Sequence, residues 1–241
     1  METRTALVTG AAQGLGQEFA VALAGRGYRV AGLDLVPQPD TAEQILDYVE
    51  LIADATDETQ VHAALERVLA QFGTLHVLVN NAGVYAESAF EDTTPEEWRR
   101  VMRVNLEAPF LMTRAVLPYL KAAGWGRIVN IASATVLTAP PTMVAYTASK
   151  AGLIGFTRAL ASALGPYGIT VNAIAPSLVR TATAERTVGA DDGFEHVRAQ
   201  QVVPGTQEPA DLVSTLLYVV DEGSGFLTGQ TLNVAGGSRY S

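Results

Sequence analysis

Along this chain, short β-branched apolar runs alternate with longer stretches in which apolar residues recur at helical spacing. Residues 5–9, 29–34, 49–53, 75–80, 127–132, 170–174 and 230–234 read as strands. The run at 75–80 is nearly all apolar, as a strand covered on both faces should be. Between them the 3.6-residue period predicts helices at about 15–26, 58–72, 95–123, 143–165 and 209–221. Thr94 stands where an N-cap belongs and Pro95 at the first helical position. Strand–helix alternation of this kind predicts an α/β fold, a doubly wound parallel sheet of about seven strands with helices on both faces. Neither a linker nor a repeat interrupts it, so residues 1–241 read as one domain.

Composition narrows the class. The chain has 241 residues, 48% hydrophobic and 17% charged, with a net charge of -9 and a pI near 4.8. That acidity argues against a nucleic-acid partner. No run approaches the roughly 20 apolar residues of a membrane span, and the N-terminus lacks signal-peptide character, so a cytoplasmic location is expected. With no cysteine, disulfides and thiolate metal sites are excluded. His62, His76 and His196 lack metal-ligand spacing and read as surface or loop residues, so no metal is expected.

Two local patterns carry chemistry. Thr9-Gly10-Ala11-Ala12-Gln13-Gly14-Leu15-Gly16 joins the first strand to the first helix. Glycines there permit a tight turn and let a pyrophosphate approach free N–H groups at the helix N-terminus. A ligand-free β–α turn is the simpler alternative. Asp34 ends the second strand, where a carboxylate can hold a ribose 2′-hydroxyl and repel a 2′-phosphate; a helix cap is its alternative. Farther along, Tyr146 and Lys150 lie four apart on a predicted helix, hence on one face. An ammonium beside a phenol favours the phenolate, although such pairs also occur by chance on surface helices.

With Ser133 closing the fifth strand thirteen residues before Tyr146, and Asn80-Asn81-Ala82-Gly83 following the fourth, the chain resembles the short-chain dehydrogenase/reductase family from end to end. The resemblance implies a Rossmann-type fold and a catalytic set of Asn105, Ser133, Tyr146 and Lys150. In it Tyr146 exchanges the proton, Ser133 holds the reacting oxygen, Lys150 lowers the Tyr146 pKa and binds ribose, and Asn105 positions a water. Cofactor contacts are implied at Gly10, Gln13, Gly14, Leu15, Gly16, Asp34, Leu35, Asp54, Ala55, Asn81, Ala82, Gly83, Pro176, Val179 and Thr181, besides Tyr146 and Lys150. Asn80 is expected only to pair with backbone. Asp34 and Gln13 favour NAD(H) over NADP(H). Ser177 and Ala235 replace the family's usual Gly and Asp.

Substrate selection is expected in the loop 134–145 with Val136, Leu137, Pro140, Pro141, Met143 and Val144, at Tyr85, and in an irregular lid at about 178–203 containing Phe194. Without basic residues in the first two segments, a hydrophobic, possibly aryl, secondary alcohol and its ketone are favoured; simple loop packing is the alternative. The stretches Asp34–Pro37, Gly124–Ile128 and Ala175–Thr183 resemble NAD-dependent 1-phenylethanol dehydrogenases. A 3-oxoacyl-carrier-protein reductase-like ketoreductase is the competing reading, and a catalytically silent NAD(H)-binding redox sensor is the alternative from another class. The family resemblance implies a homotetramer.

Overall fold

The computed structural model describes residues 3–189 and 192–240. Seven parallel strands form one sheet in the order β3-β2-β1-β4-β5-β6-β7: β1 Thr5–Thr9, β2 Arg29–Asp34, β3 Val49–Ile52, β4 Val77–Asn80, β5 Gly126–Ile131, β6 Ile169–Pro176 and β7 Thr231–Val234. The helices are α1 Gly14–Gly25, the short α2 Pro39–Ala42, α3 Glu58–Phe72, α4 Pro95–Met102, α5 Ala108–Ala123, the short α6 Thr135–Thr138, α7 Val144–Leu164, α8 Ala182–Val188, α9 Asp192–Arg198 and α10 Val213–Val220. No helix among the described residues is long and apolar enough to cross a membrane.

Period-two alternation splits each strand between two cores. Leu7, Leu78 and Ile128 join Val61, Leu65, Met112 and Leu164 beneath α3, α5 and α7. Ala6, Val8, Val77 and Val129 join Phe19, Leu23, Leu216 and Val220 beneath α1 and α10. The strand order reverses between β1 and β4, so a crevice opens at their carboxyl ends, where α/β sheets take their ligands.

Several expectations change. The uninterrupted helix expected at 95–123 is broken by a π-helical turn at Arg103–Glu107. Pro109 lacks an N–H, so an α-helical register would leave the Asn105 carbonyl without its donor. The extra residue in the turn instead lets the Ala108 amide reach the Arg103 carbonyl. The lid is not irregular: it contains α8 and α9. His76 is buried rather than superficial, its Nδ1 accepting the Thr5 amide at 3.1 Å. Ser177 needs no glycine conformation, because its φ is not positive. Trp125, in one of the stretches resembling phenylethanol dehydrogenases, lies beside the start of β5, the sheet end remote from the cleft. There the guanidinium carbons of Arg4 and Arg127 stand 3.7 and 4.1 Å from its ring centroid. That motif is a structural brace.

Asn80 pairs with side chains, not backbone. Its Nδ2 donates to Asn130 Oδ1 at 2.8 Å and to Thr113 Oγ1 at 3.4 Å, while Asn130 Nδ2 donates to Thr157 Oγ1 at 2.8 Å. This buried ladder ties β4 and β5 to α5 and α7, immediately behind the cleft. Asn130→Leu keeps the branched shape, though it is bulkier, and removes both bonds; it should cost about 1–3 kcal/mol, and urea unfolding should show a lower midpoint with an unchanged slope.

Candidate active site

The glycine turn is shaped by close packing. Gly10 has φ +68°, and a Cβ there would stand 2.9 Å from Asn81 Nδ2. At Gly16 a Cβ would run into the Gly10 carbonyl oxygen. Asn81 supplies the opposite wall: its Nδ2 donates to the Thr9 and Gly10 carbonyls at 2.9 and 3.2 Å, so β4 grips the turn that leaves β1. Its amide and that of Ala82 both donate to Thr9 Oγ1 at 3.0 Å. No side chain caps α1, whose first-turn amides stay available for an anion. Gln13 Nε2 lies 3.5 Å from Thr183 Oγ1, linking turn to lid.

Asp34 caps no helix, since α2 begins at Pro39 with Gln38 as its N-cap. Its carboxylate instead accepts the Ala12 and Leu35 amides at 3.0 and 2.7 Å, fixing the end of β2 beside the turn. After β3, Asp54 Oδ1 accepts the Thr56 amide at 2.8 Å, and Ala55 is buried next to it. A cradle that glycines alone can line, an uncapped helix and a carboxylate beside them fit a dinucleotide. Gly10, Gly14, Gly16, Asp34, Asp54 and the Asn81–Gly83 turn would hold it.

The reactive groups gather at the carboxyl ends of β4 and β5. Tyr146 lies on the first turn of α7, and one turn later Lys150 places Nζ 5.7 Å from the Tyr146 ring centroid. Lys150 is 4% exposed and donates to the Ile131 carbonyl at 2.7 Å. Burial brings its pKa down to about 8. The Tyr146 phenol, in contrast, is pushed up by burial, with a hydrogen bond to Ser133 acting against the rise. The Lys150 ammonium, expected to lower the phenol, lies 5.7 Å from its ring centroid, and burial is the larger influence on Tyr146. Ser133 Oγ accepts the Thr135 amide at 3.2 Å, which anchors the hydroxyl at the end of β5.

Asn105 is brought inward by the π turn. Its Nδ2 donates to the Val84 carbonyl at 3.0 Å and to Ser149 Oγ at 3.1 Å, while Oδ1 accepts the Val84 amide at 2.8 Å. An Asn on an apolar helix face is thereby satisfied, and it locks α7 to the loop after β4. Gly83 sits between these groups: a Cβ there would be 3.3 Å from Asn105 Oδ1 and 3.5 Å from Lys150 Nζ.

The cleft above them has a volume of about 920 Å³, and Leu15, Pro176, Val179 and Thr181 also line it. Of the residues proposed to select substrate, Tyr85, Pro140, Pro141 and Met143 line it; Val136, Leu137, Val144 and Phe194 do not. Phe194 is buried, with the Arg180 guanidinium 4.7 Å from its ring centroid, and serves the inside of the lid. The Tyr85 and Tyr146 rings are tilted together at 5.5 Å, and the Tyr85 hydroxyl donates to Glu87 at 2.9 Å. Glu87, His196, Gln200 and Arg239 also line the cleft. The segments expected to select substrate include His196 and Gln200 within the lid, without singling them out, and omit Glu87 and Arg239. The i, i+4 spacing of His196 and Gln200 was the one available signal, and Arg239 gave none.

A model of the short chain dehydrogenase family matches residues 4–191. The chain is 35% identical to the (2S)-((R)-hydroxy(phenyl)methyl)succinyl-CoA dehydrogenase subunit BbsD of Thauera aromatica, covering 98% of this chain and 97% of that protein. It is 34% identical to the 3-oxoacyl-acyl-carrier-protein reductase of Escherichia coli (strain K12), over 98% of this chain and 97% of the relative. Among solved structures, a 3-ketoacyl-acyl-carrier-protein reductase from Brucella melitensis complexed with NADH superposes with a TM-score of 0.92 at 31% identity, covering 98% of each chain. The glycine cradle, the Tyr146–Lys150 helix and this full-length similarity lead to one conclusion: the chain belongs to the short chain dehydrogenase family of oxidoreductases.

Proposed function

We propose that this protein interconverts a secondary alcohol and its ketone with NAD(H), acting on an acyl thioester of the 3-oxoacyl kind. The observation that carries the chemistry is the convergence of Tyr146, Ser133 and the buried Lys150 beside the glycine cradle. Held by the glycine cradle and Asp34, NAD(H) would supply the hydride for ketone reduction or accept it from the alcohol. In reduction the Tyr146 hydroxyl proton passes to the carbonyl oxygen; in oxidation the phenolate takes the alcohol's proton. Ser133, accepting from Thr135, has one O–H, which the phenol shares at present and which the substrate oxygen would take over. Lys150 spends one N–H on Ile131 and has two left for the phenol side and a ribose. The Asn105 side chain is committed to Val84 and Ser149, so a water relay would rest on its backbone carbonyl.

Three considerations support the substrate and cofactor. The names of the Thauera aromatica and Escherichia coli relatives both specify thioester-borne acyl groups, which favours the ketoreductase reading over a free hydrophobic alcohol. A second, aryl reading persists because Tyr85, Pro140, Pro141 and Met143 make an apolar wall and the Thauera aromatica relative's name includes a phenyl group. For the cofactor, the Asp34 carboxylate would repel a 2′-phosphate, and the Brucella melitensis structure is an NADH complex.

Absorbance at 340 nm with NADH should fall with acetoacetyl thioesters faster than with acetophenone. The reverse order would move the assignment to the aryl reading, and silence with both, despite tight NADH binding, would favour a sensor. Tyr146→Phe should lower turnover ~10²–10⁴-fold while NADH fluorescence titration stays near wild type; near-normal turnover would remove Tyr146 from the proton step. Because Lys150 is charged below about pH 8 and loses its proton above it, kcat/KM for ketone reduction should fall as pH rises through that value. Lys150→Met should retain little activity and show no break there. Asp34→Asn should narrow the NADH over NADPH preference about tenfold, as loss of roughly 1.4 kcal/mol of repulsion would; an unchanged ratio would show that Asp34 does not choose the cofactor.

A further inference from the structure

Arg239 is a cation that lines the cleft. The chain carries 25 acidic against 16 basic residues, and carboxylates pair with Arg4, Arg99, Arg114 and Arg180 at 3.0–3.3 Å. Among the described residues no carboxylate lies within ion-pair distance of Arg239. Its guanidinium donates only to neutral oxygens, the Ser238 carbonyl and, at 3.3 Å, Gln200 Oε1.

The position is held by local structure. Asn233 Nδ2 donates to the Arg239 carbonyl at 2.7 Å, and the Ser238 amide donates to the Ala235 carbonyl at 3.0 Å. The Val202 and Val203 amides both donate to the Gly236 carbonyl, at 2.8 and 2.9 Å, stapling this C-terminal turn to the end of the lid. Gln200 in turn lies 2.7 Å from His196 Nε2. Thus Arg239, Gln200 and His196 line one wall of the cleft, made of lid and C-terminal segment. Glu87, the one carboxylate among the described lining residues, belongs to the other wall, where it accepts the Tyr85 and Thr142 hydroxyls at 2.9 and 2.8 Å.

We propose that Arg239, with Gln200 and His196, binds an anionic oxygen group of the substrate, a carboxylate or a phosphate ester, remote from the reacting carbonyl. A guanidinium fork matches either group by two parallel hydrogen bonds. Glu87 repels the same group from the Tyr85 side, so the pair of charges fixes which way an acyl chain enters. This inference rests on the hydride-transfer reading above and extends it to the substrate's charge.

Three carbonyl probes separate the sources: the neutral N-acetylcysteamine thioester of acetoacetate, its 3-oxoadipyl counterpart with a terminal carboxylate, and acetoacetyl-CoA with its phosphates. Arg239→Gln should raise the KM of one charged probe relative to the neutral one by about tenfold or more, with kcat changing less, and Arg239→Lys should recover part of it. Which charged probe responds identifies carboxylate or phosphate as the source. Unchanged KM ratios for both charged probes would overturn the proposal. So would a change in oligomer size on gel filtration with unaltered ratios, which would assign Arg239 to a contact between copies. If no probe is reduced, the functional reading fails by itself. Calorimetric titration of adipate and of coenzyme A into the wild-type protein with NADH then tests the anion site directly: heat abolished in Arg239→Gln supports it, and no heat with either overturns it.

Discussion

The site depends on an ammonium buried at the end of a sheet. Burying a charge is costly unless polar groups replace its water, and Lys150, 4% exposed, has the Ile131 carbonyl at 2.7 Å as its hydrogen-bond partner. Its pKa of about 8 reflects that cost. The arrangement is sustainable because β5 ends at Ile131, where carbonyls no longer needed by the ladder point into the crevice. Neighbouring parts serve the same position. The π turn aims Asn105 at Val84 and Ser149, and the Asn80–Asn130–Thr157 ladder keeps β4, β5 and α7 in register behind it.

Tyr146 illustrates how two environmental effects compete. An adjacent cation favours phenolate and burial favours phenol; here burial is the larger. Ser133, anchored by the Thr135 amide, opposes the rise by hydrogen bonding to the phenol. The cleft thus brings together one neutral acid, one buried cation and, farther out, opposite charges on different walls.

The local chemistry was legible in the sequence wherever a residue's role depends on near neighbours. Strand and helix periods located all seven strands and the longer helices, because alternation of two and of 3.6 is a property of the chain itself. The glycine turn and the Tyr146–Lys150 spacing were readable for the same reason. The resemblance supplied Ser133 and Asn105, which lie far apart in sequence and meet through sheet order. The π turn at Arg103–Glu107 and the short helices within the lid escaped although Pro109 was a local signal for the first, and the burial of His76 and Phe194 was set by long-range packing.

By itself, then, the sequence determined the parallel α/β sheet, the glycine turn and the placing of Tyr146 and Lys150 on one helix face, since each follows from hydrophobic period or local spacing. Only the tertiary structure decided that burial governs the Tyr146 phenol, that Asp34 grips the glycine turn instead of capping a helix, and that Glu87 and Arg239 face one cleft from different walls. Those outcomes depend on desolvation and on the placing in one cleft of residues as far apart in sequence as Glu87 and Arg239, and no local pattern encodes either.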